Sequence, residues 1–130
     1  MESLGTETRP ALRSFRDLIV WKKAADLAVL VYKLTGQFPA SELYGMTSQM
    51  RRAVISISSN IAEGFKRSHG GEKLQFYNIA YGSTAELESQ SEIASRLGYI
   101  SDEDSEALVA ALNEISKMLD GLIKATRFNS

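Results

Sequence analysis

The 130-residue chain has no cysteine and only one histidine, His69. The missing thiols exclude disulfides and thiolate metal ligands, and they favour a reducing compartment. A single imidazole cannot supply the two Glu-x-x-His motifs of a di-metal carboxylate bundle, and tetrahedral zinc within one chain is disfavoured. We therefore expect neither a metal nor an organic cofactor.

Long apolar runs are also missing. No stretch of about 18 uninterrupted apolar residues occurs, so no membrane-spanning helix is expected. The first 13 residues carry charges without an apolar run, which is unlike a signal peptide, so a cytoplasmic location is expected. No Walker A or dinucleotide fingerprint occurs, and no nucleophile–base–acid set stands out. We expect a chain without catalytic residues, not an enzyme.

The chain lacks a charge excess of either sign: Lys and Arg number 15, Asp and Glu number 16, and the net charge is −1. Proteins that hold nucleic acid by its phosphates usually carry a clear basic excess. We therefore expect weak or no binding of nucleic acid. Hydrophobic residues at 44% and charged residues at 24% are ordinary for a globular domain of this length.

Only two prolines occur, and the glycines fall mostly between segments of helical periodicity. The pattern predicts a polar tail over residues 1–14 and one domain of four helices over residues 15–127. Thr47 is a plausible N-cap of the second helix, and Ser101 with Asp104 predicts the start of the fourth. The helices are expected at about 17–35, 47–64, 72–97 and 102–126, and no segment alternates as a strand does.

The fourth helix carries the cleanest apolar seam, with steps of four and three residues. Its members are Leu108, Leu112, Ile115, Leu119 and Leu122. Such seams belong to helices that pack nearly parallel along their length. Because the connections are short, neighbouring helices must run in opposite directions. The sequence therefore predicts an all-α, antiparallel up-and-down four-helix bundle.

The first helix is apolar on two sides, although a bundle covers only one side of each helix. One side holds Leu18, Trp21, Ala25, Ala28 and Tyr32, and the other holds Val20, Ala24, Leu27, Val31 and Leu34. The pattern leaves open which side is core. The uncovered side predicts contact with another surface.

The third helix repeats this arrangement. Its predicted core stripe is Phe76, Ala80, Ser83, Leu87, Ala94 and Leu97, with Leu74, Tyr77 and Tyr81 on roughly the opposite face. Tyrosines are favoured at protein interfaces, although scattered surface aromatics are also normal on a monomer. Two distinct apolar surfaces fit a ring-like homo-oligomer better than an isologous dimer. The predicted oligomer interface comprises Trp21, Tyr32, Leu74, Tyr77 and Tyr81.

Beside its apolar face, the second helix carries a stripe rich in serine and asparagine, which do not favour helix interiors. Small polar side chains let a neighbouring helix approach closely, so we predict a structural polar seam with the third helix. The alternative is a ligand or catalytic site. A buried Glu86 would need Arg51 or Arg52 as its partner. The predicted seam comprises Gln49, Arg51, Arg52, Ser56, Asn60, Glu63, Ser83 and Glu86.

Basic residues cluster at the turn between the second and third helices. The candidate phosphate-contacting residues are Lys66, Arg67, His69 and Lys73. The simpler interpretation is a solvated turn with ordinary surface charge. A ring would repeat the cluster once per subunit, which allows weak multivalent binding of phosphate.

An ordered set of short motifs resembles the 23S rRNA intervening sequence proteins, a bacterial family of four-helix bundles, from about residue 15 to about 123. The motifs are Phe15-Arg16-Asp17-Leu18 with Trp21, Phe38-Pro39, residues 48–53, residues 59–64, and Gly82-Ser83 with Glu86-Leu87. The resemblance implies a ring-like homopentamer with no established activity or cofactor. Related accessory proteins of diversity-generating retroelements bind a reverse transcriptase and nucleic acid, but they are strongly basic, unlike this chain.

Two functions from different classes follow from these observations. The leading hypothesis is a non-catalytic, self-assembling scaffold or adaptor that holds an unidentified protein partner. The alternative is a nucleic-acid-binding accessory protein associated with rRNA or a reverse transcriptase. The resemblance favours the alternative, whereas the charge balance opposes it.

Overall fold

Four long helices make up most of the computed structural model, which describes residues 12–129. They are α1 (Ile19–Thr35), α2 (Met46–Lys66), α3 (Gly70–Arg96) and α4 (Asp102–Phe128), and short 3₁₀ helices occur at Phe15–Asp17 and Ala40–Glu42. No strand occurs in this range. The all-α prediction is confirmed, and each helix lies within a few residues of its expected bounds. The predicted tail lies largely outside the described residues.

The four helices pack around one core, and helices that are consecutive in the chain lie side by side. α2 contacts both α1 and α3, α3 contacts α4, and a smaller contact between α1 and α4 closes the bundle. Within the described range, the backbones of α1 and α3 do not approach within 8 Å, so these two helices are diagonally opposite. Antiparallel packing of α2 and α3 follows from two contacts, Gly64 with Tyr77 and Ser56 with Ser83.

The seam on α4 lies in the core as predicted. Leu108, Leu112, Ile115 and Leu119 are fully buried. Ile123 completes the seam, whereas Leu122 is only half-buried. The two positions lie on either side of the seam's centre line, because 3.6 residues per turn does not match the seven-residue repeat.

On α1 the buried side is the one with Val20, Ala24, Leu27 and Val31. The opposite side, which includes Trp21, Ala28 and Tyr32, is half-buried or exposed. The structure thus decides which of the two apolar sides is core.

The predicted core stripe of α3 is wrong at its two ends. Tyr77, expected at an oligomer interface, is a core residue with only 2% of its surface exposed. Phe76 is half-buried, and Leu97 is exposed. The true stripe runs through positions 77, 80, 84, 87, 91 and 94, at steps of three and four. Because positions 84 and 91 are threonine and serine, hydrophobicity alone hides this period.

The start of α2 also differs from the prediction. Thr47 is buried inside the helix and does not cap it; Gly45 precedes the helix, and the Glu42 carboxylate accepts a hydrogen bond from the Met46 N–H at 3.0 Å. The Tyr99 hydroxyl donates to the other oxygen of Glu42 at 2.8 Å. This carboxylate therefore ties the α1–α2 connection to the α3–α4 connection.

The Met46 N–H and the Tyr99 hydroxyl lower the pKa of Glu42 below its ordinary value of 4.5. A lowered pKa stabilises the fold above 4.5, and this contribution is lost as the pH falls through the folded-state pKa. In Glu42→Gln, the stability deficit relative to wild type should therefore be largest at neutral pH and shrink below pH 4.5. Urea titrations from about pH 3 to about pH 7 measure it. Glu88→Gln, on the exposed surface of α3, is the control, and a pH-independent deficit would contradict the capping role.

Gly64 permits the close approach of α2 and α3. A Cβ atom placed there would lie 2.5 Å from Cε1 of Tyr77. Gly121, in the interior of α4, has open space at the same position. Gly64→Ala should therefore be less stable than Gly121→Ala by about 1–3 kcal/mol, because the two variants share the gain in helix propensity and only the first overpacks. Chemical denaturation measures both, and equal stabilities would show that the Tyr77 ring yields.

Candidate functional site

The centre of the polar seam joins α2 to α3. The hydroxyl oxygens of Ser56 and Ser83 lie 2.8 Å apart. The Asn60 amide nitrogen donates to the Ser56 carbonyl at 2.8 Å and to its hydroxyl at 3.1 Å. These short side chains pair with one another, so the two helices approach closely without leaving the groups unsatisfied.

The charged members of the predicted seam do not form a buried ion pair. Glu86, Arg52 and Gln49 are exposed and line an open groove of about 490 Å³ with Ala53 and Ser56. Glu63 pairs instead with Arg67, the residue that follows its own helix, at 2.7 Å. The expectation of a buried Glu86 is wrong because Ser83 and Leu87 occupy the inward arc of α3. Glu86 then falls on the flank of the helix.

Arg51 binds α1 instead of α3. Its Nε donates to the Thr35 hydroxyl at 2.9 Å, and its Nη2 donates to the Tyr32 carbonyl at 3.3 Å. The guanidinium also lies 4.5 Å from the centroid of the Tyr32 ring. Arg51 thus binds polar groups in the last turn of α1, where a positive charge is favourable.

Two of the four basic residues at the α2–α3 turn have structural contacts. Arg67 pairs with Glu63 and lies 4.8 Å from the Phe76 ring centroid. Lys73 donates to the carbonyls of Gly64 at 3.2 Å and Phe65 at 2.8 Å, at the C-terminal end of α2. Lys66 and His69 are exposed. Contact of this turn with phosphate stays a prediction.

An exposed apolar surface lies where α1 and α2 meet, and we call it the α1–α2 face. Its five large side chains, between 42% and 92% exposed, are Val29, Tyr32, Leu43, Tyr44 and Ile55. They line two shallow cavities of about 530 and 450 Å³, which share Tyr32 and Ile55. The other lining residues include Lys33, Arg51 and Arg52, with no Asp or Glu among them. This face is apolar at its centre and basic at its rim.

The predicted interface residues do not share one surface. Tyr32 lies on the α1–α2 face, whereas Tyr81 is exposed on the diagonally opposite helix α3. Leu74 is half-buried, and Trp21 packs edge-on against Phe15 with ring centroids 5.0 Å apart. Leu43 and Tyr44 were missed because they lie in the connection between helices. Ile55 was identifiable as the one large apolar residue on the outer side of α2.

Three more exposed apolar side chains lie on one side of α3 and at its C-cap, and we call this side the α3 stripe. It comprises Ile79, Ile93 and Leu97, each close to half exposed. Glu86 lies midway between Ile79 and Ile93, at seven-residue spacing, and shares their side of the helix. The α3 stripe is therefore apolar with an acidic centre, and it is distinct from the α1–α2 face.

Residues 12–129 contain neither a metal-ligand group nor a membrane-spanning helix. In this range, no three or more His, Asp or Glu side chains group as metal ligands would. No helix within it is long and apolar enough to span a membrane. The geometry defines an all-α four-helix bundle whose main unassigned features are exposed apolar surfaces.

Comparison with known proteins specifies the family. The model of the 23S rRNA-intervening sequence protein family matches residues 16–121, and the chain belongs to this family. No curated protein sequence matches it. A crystal structure from Bacteroides thetaiotaomicron VPI-5482, a protein of unknown function from the S23 ribosomal protein family, is similar with a TM-score of 0.76 and 28% identity. The similarity covers 82% of this chain and 96% of the other.

The two adjacent arginines of α2 provide a matched test of the contacts that Arg51 makes with α1. Arg51→Ala should lower the free energy of unfolding by about 1–3 kcal/mol, because charged hydrogen bonds to Thr35 and Tyr32 are lost. Arg52→Ala and Glu86→Ala should each change it by less than about 0.5 kcal/mol, because both side chains are exposed. Urea denaturation of the three variants measures this difference. A large loss of stability in Glu86→Ala would instead support the prediction that Glu86 is a buried member of an ion pair.

Proposed function

We propose that the chain is a non-catalytic scaffold that assembles with copies of itself through the α1–α2 face. The observation that carries this proposal is the exposure of five large apolar side chains on one continuous surface. Full burial of such a side chain is worth about 1.5–3 kcal/mol. Because each of the five is still exposed in the single chain, a large part of this free energy is available to a contact with another subunit. Contiguous apolar patches of this kind mark interaction sites.

The second surface favours a ring. An isologous dimer would cover the α1–α2 face and leave the α3 stripe in water, whereas a head-to-tail contact covers both. The two surfaces are also complementary in charge, because Arg52 and Lys33 border the first and Glu86 lies within the second. The number of five subunits comes from the family resemblance and is part of the proposal.

The scaffold role follows from repetition. A ring presents each remaining surface once per subunit, so a partner that binds one subunit weakly can bind the assembly tightly. The family name suggests the alternative, a role with rRNA. That role ranks second because the net charge is −1 and Arg67 and Lys73 already have partners.

Sedimentation at micromolar protein concentration tests the assembly. The wild-type mass should be several times the chain mass of 14.3 kDa. The double variant Val29→Glu with Ile55→Glu should shift the protein to monomer, because it buries two charges in the contact. Both side chains are exposed in the single chain, so the bundle should still fold.

Phe128→Glu is the matched control, since Phe128 is 91% exposed at the end of α4 and lies outside both surfaces. Its mass should equal that of wild type. A monomeric wild-type protein would refute the assembly. An unchanged mass in the double variant would show that the interface does not involve the α1–α2 face.

A further inference from the structure

A separate cavity of about 350 Å³ lies at the end of the bundle away from Glu42, where α2 ends and α3 begins. Its volume falls at the lower end of the range for small-molecule sites, about 300–1,000 Å³. The apolar part of its lining comes from Leu12, Leu18, Phe65, Leu122 and Ala125. None of these residues belongs to the α1–α2 face or the α3 stripe, so this cavity is independent of the proposed assembly.

Tyr77 supplies a polar group to the cavity. The side chain lines the cavity and is 98% buried, yet its hydroxyl makes no hydrogen bond to any other described residue. Side chains on a helix lean toward the helix N-terminus, which directs Tyr77 toward the Gly70 end of α3. Burial raises the pKa of this hydroxyl above 10.0, so it stays a protonated donor.

Lys73, one turn before Tyr77, also lines the cavity. Its ammonium group donates to the carbonyls of Gly64 and Phe65. An ammonium carries three N–H donors, so one remains for a ligand. The two carbonyl bonds fix the position of the charge and thereby reduce the entropy lost when a ligand binds.

The N-terminus of α3 opens on the same cavity at Gly70. This 27-residue helix has His69 as its N-cap, without a side-chain hydrogen bond to the first turn. No described side chain caps its first backbone N–H groups, and the helix dipole adds partial positive charge there. No Asp or Glu side chain is among the described residues that line the cavity.

We propose that this cavity binds the carboxylate of a short apolar acid. The carboxylate accepts hydrogen bonds from the Tyr77 hydroxyl, the Lys73 ammonium and the N-terminus of α3, and the hydrocarbon packs against Leu18, Phe65 and Leu122. A single fixed cation with a neutral hydroxyl matches a monoanion. An apolar lining around a few convergent donors is the usual design of a small-molecule site.

Octanoate is the probe, and isothermal titration of the 130-residue chain measures its affinity. Wild type should bind octanoate saturably, and Tyr77→Phe should bind about tenfold or more weakly, because one charge-assisted hydrogen bond is lost. Tyr81→Phe, exposed on the same helix, should match wild type. Octanol, which has the chain but no charge, should bind at least about tenfold more weakly than octanoate.

Ala125→Phe gives a second test at an exposed position of α4, where folding should be unaffected. The larger side chain should fill the cavity and abolish octanoate binding, and amide NMR shifts in wild type should centre on Gly70 and Gly71. Absence of saturable octanoate binding by wild type would overturn the proposal. Equal affinity for octanol, or unchanged affinity in both Tyr77→Phe and Ala125→Phe, would overturn it as well.

Discussion

The close packing of α2 against α3 is the constraint on which the other contacts depend. Gly64 lets the Tyr77 ring lie directly against the α2 backbone, and Ser56 with Ser83 brings the helices together two turns further along. Larger side chains at these points would separate the two backbones, because a packed interior cannot absorb added volume cheaply. Small residues therefore set both the distance and the register of this helix pair.

That register determines what meets at the two ends of the bundle. At one end the α3–α4 connection lies beside the start of α2, so the Tyr99 hydroxyl reaches Glu42. At the other end Lys73 reaches the last carbonyls of α2. The first contact holds the carboxylate that accepts from the Met46 N–H at the start of α2, and the second supplies a donor to carbonyls at the end of α2. A shift of α3 by one turn would break both of them.

The same packing explains the outer surfaces. α2 uses its inward arc for the core and its flanks for α1 and α3, so Ile55 and Arg52 are left outside. α1 turns Val20 and Leu27 inward, and Tyr32 and Val29 then face outward beside Ile55. The α1–α2 face is thus a consequence of how two amphipathic helices divide their apolar residues between one core and a further surface.

The sequence by itself determined the number and approximate limits of the helices, the all-α class and the buried seam of α4, because periodicity and turn residues act locally. It also indicated that α1 is apolar on two sides, although the bundle core covers only one of them. It did not determine which side is core, that Tyr77 is buried, or that Glu42 caps α2. Those outcomes depend on the rotation of each helix about its axis and on contacts between residues up to 57 positions apart. Only the packed tertiary structure decides them, since neither the rotation nor the distant partner is encoded in local spacing.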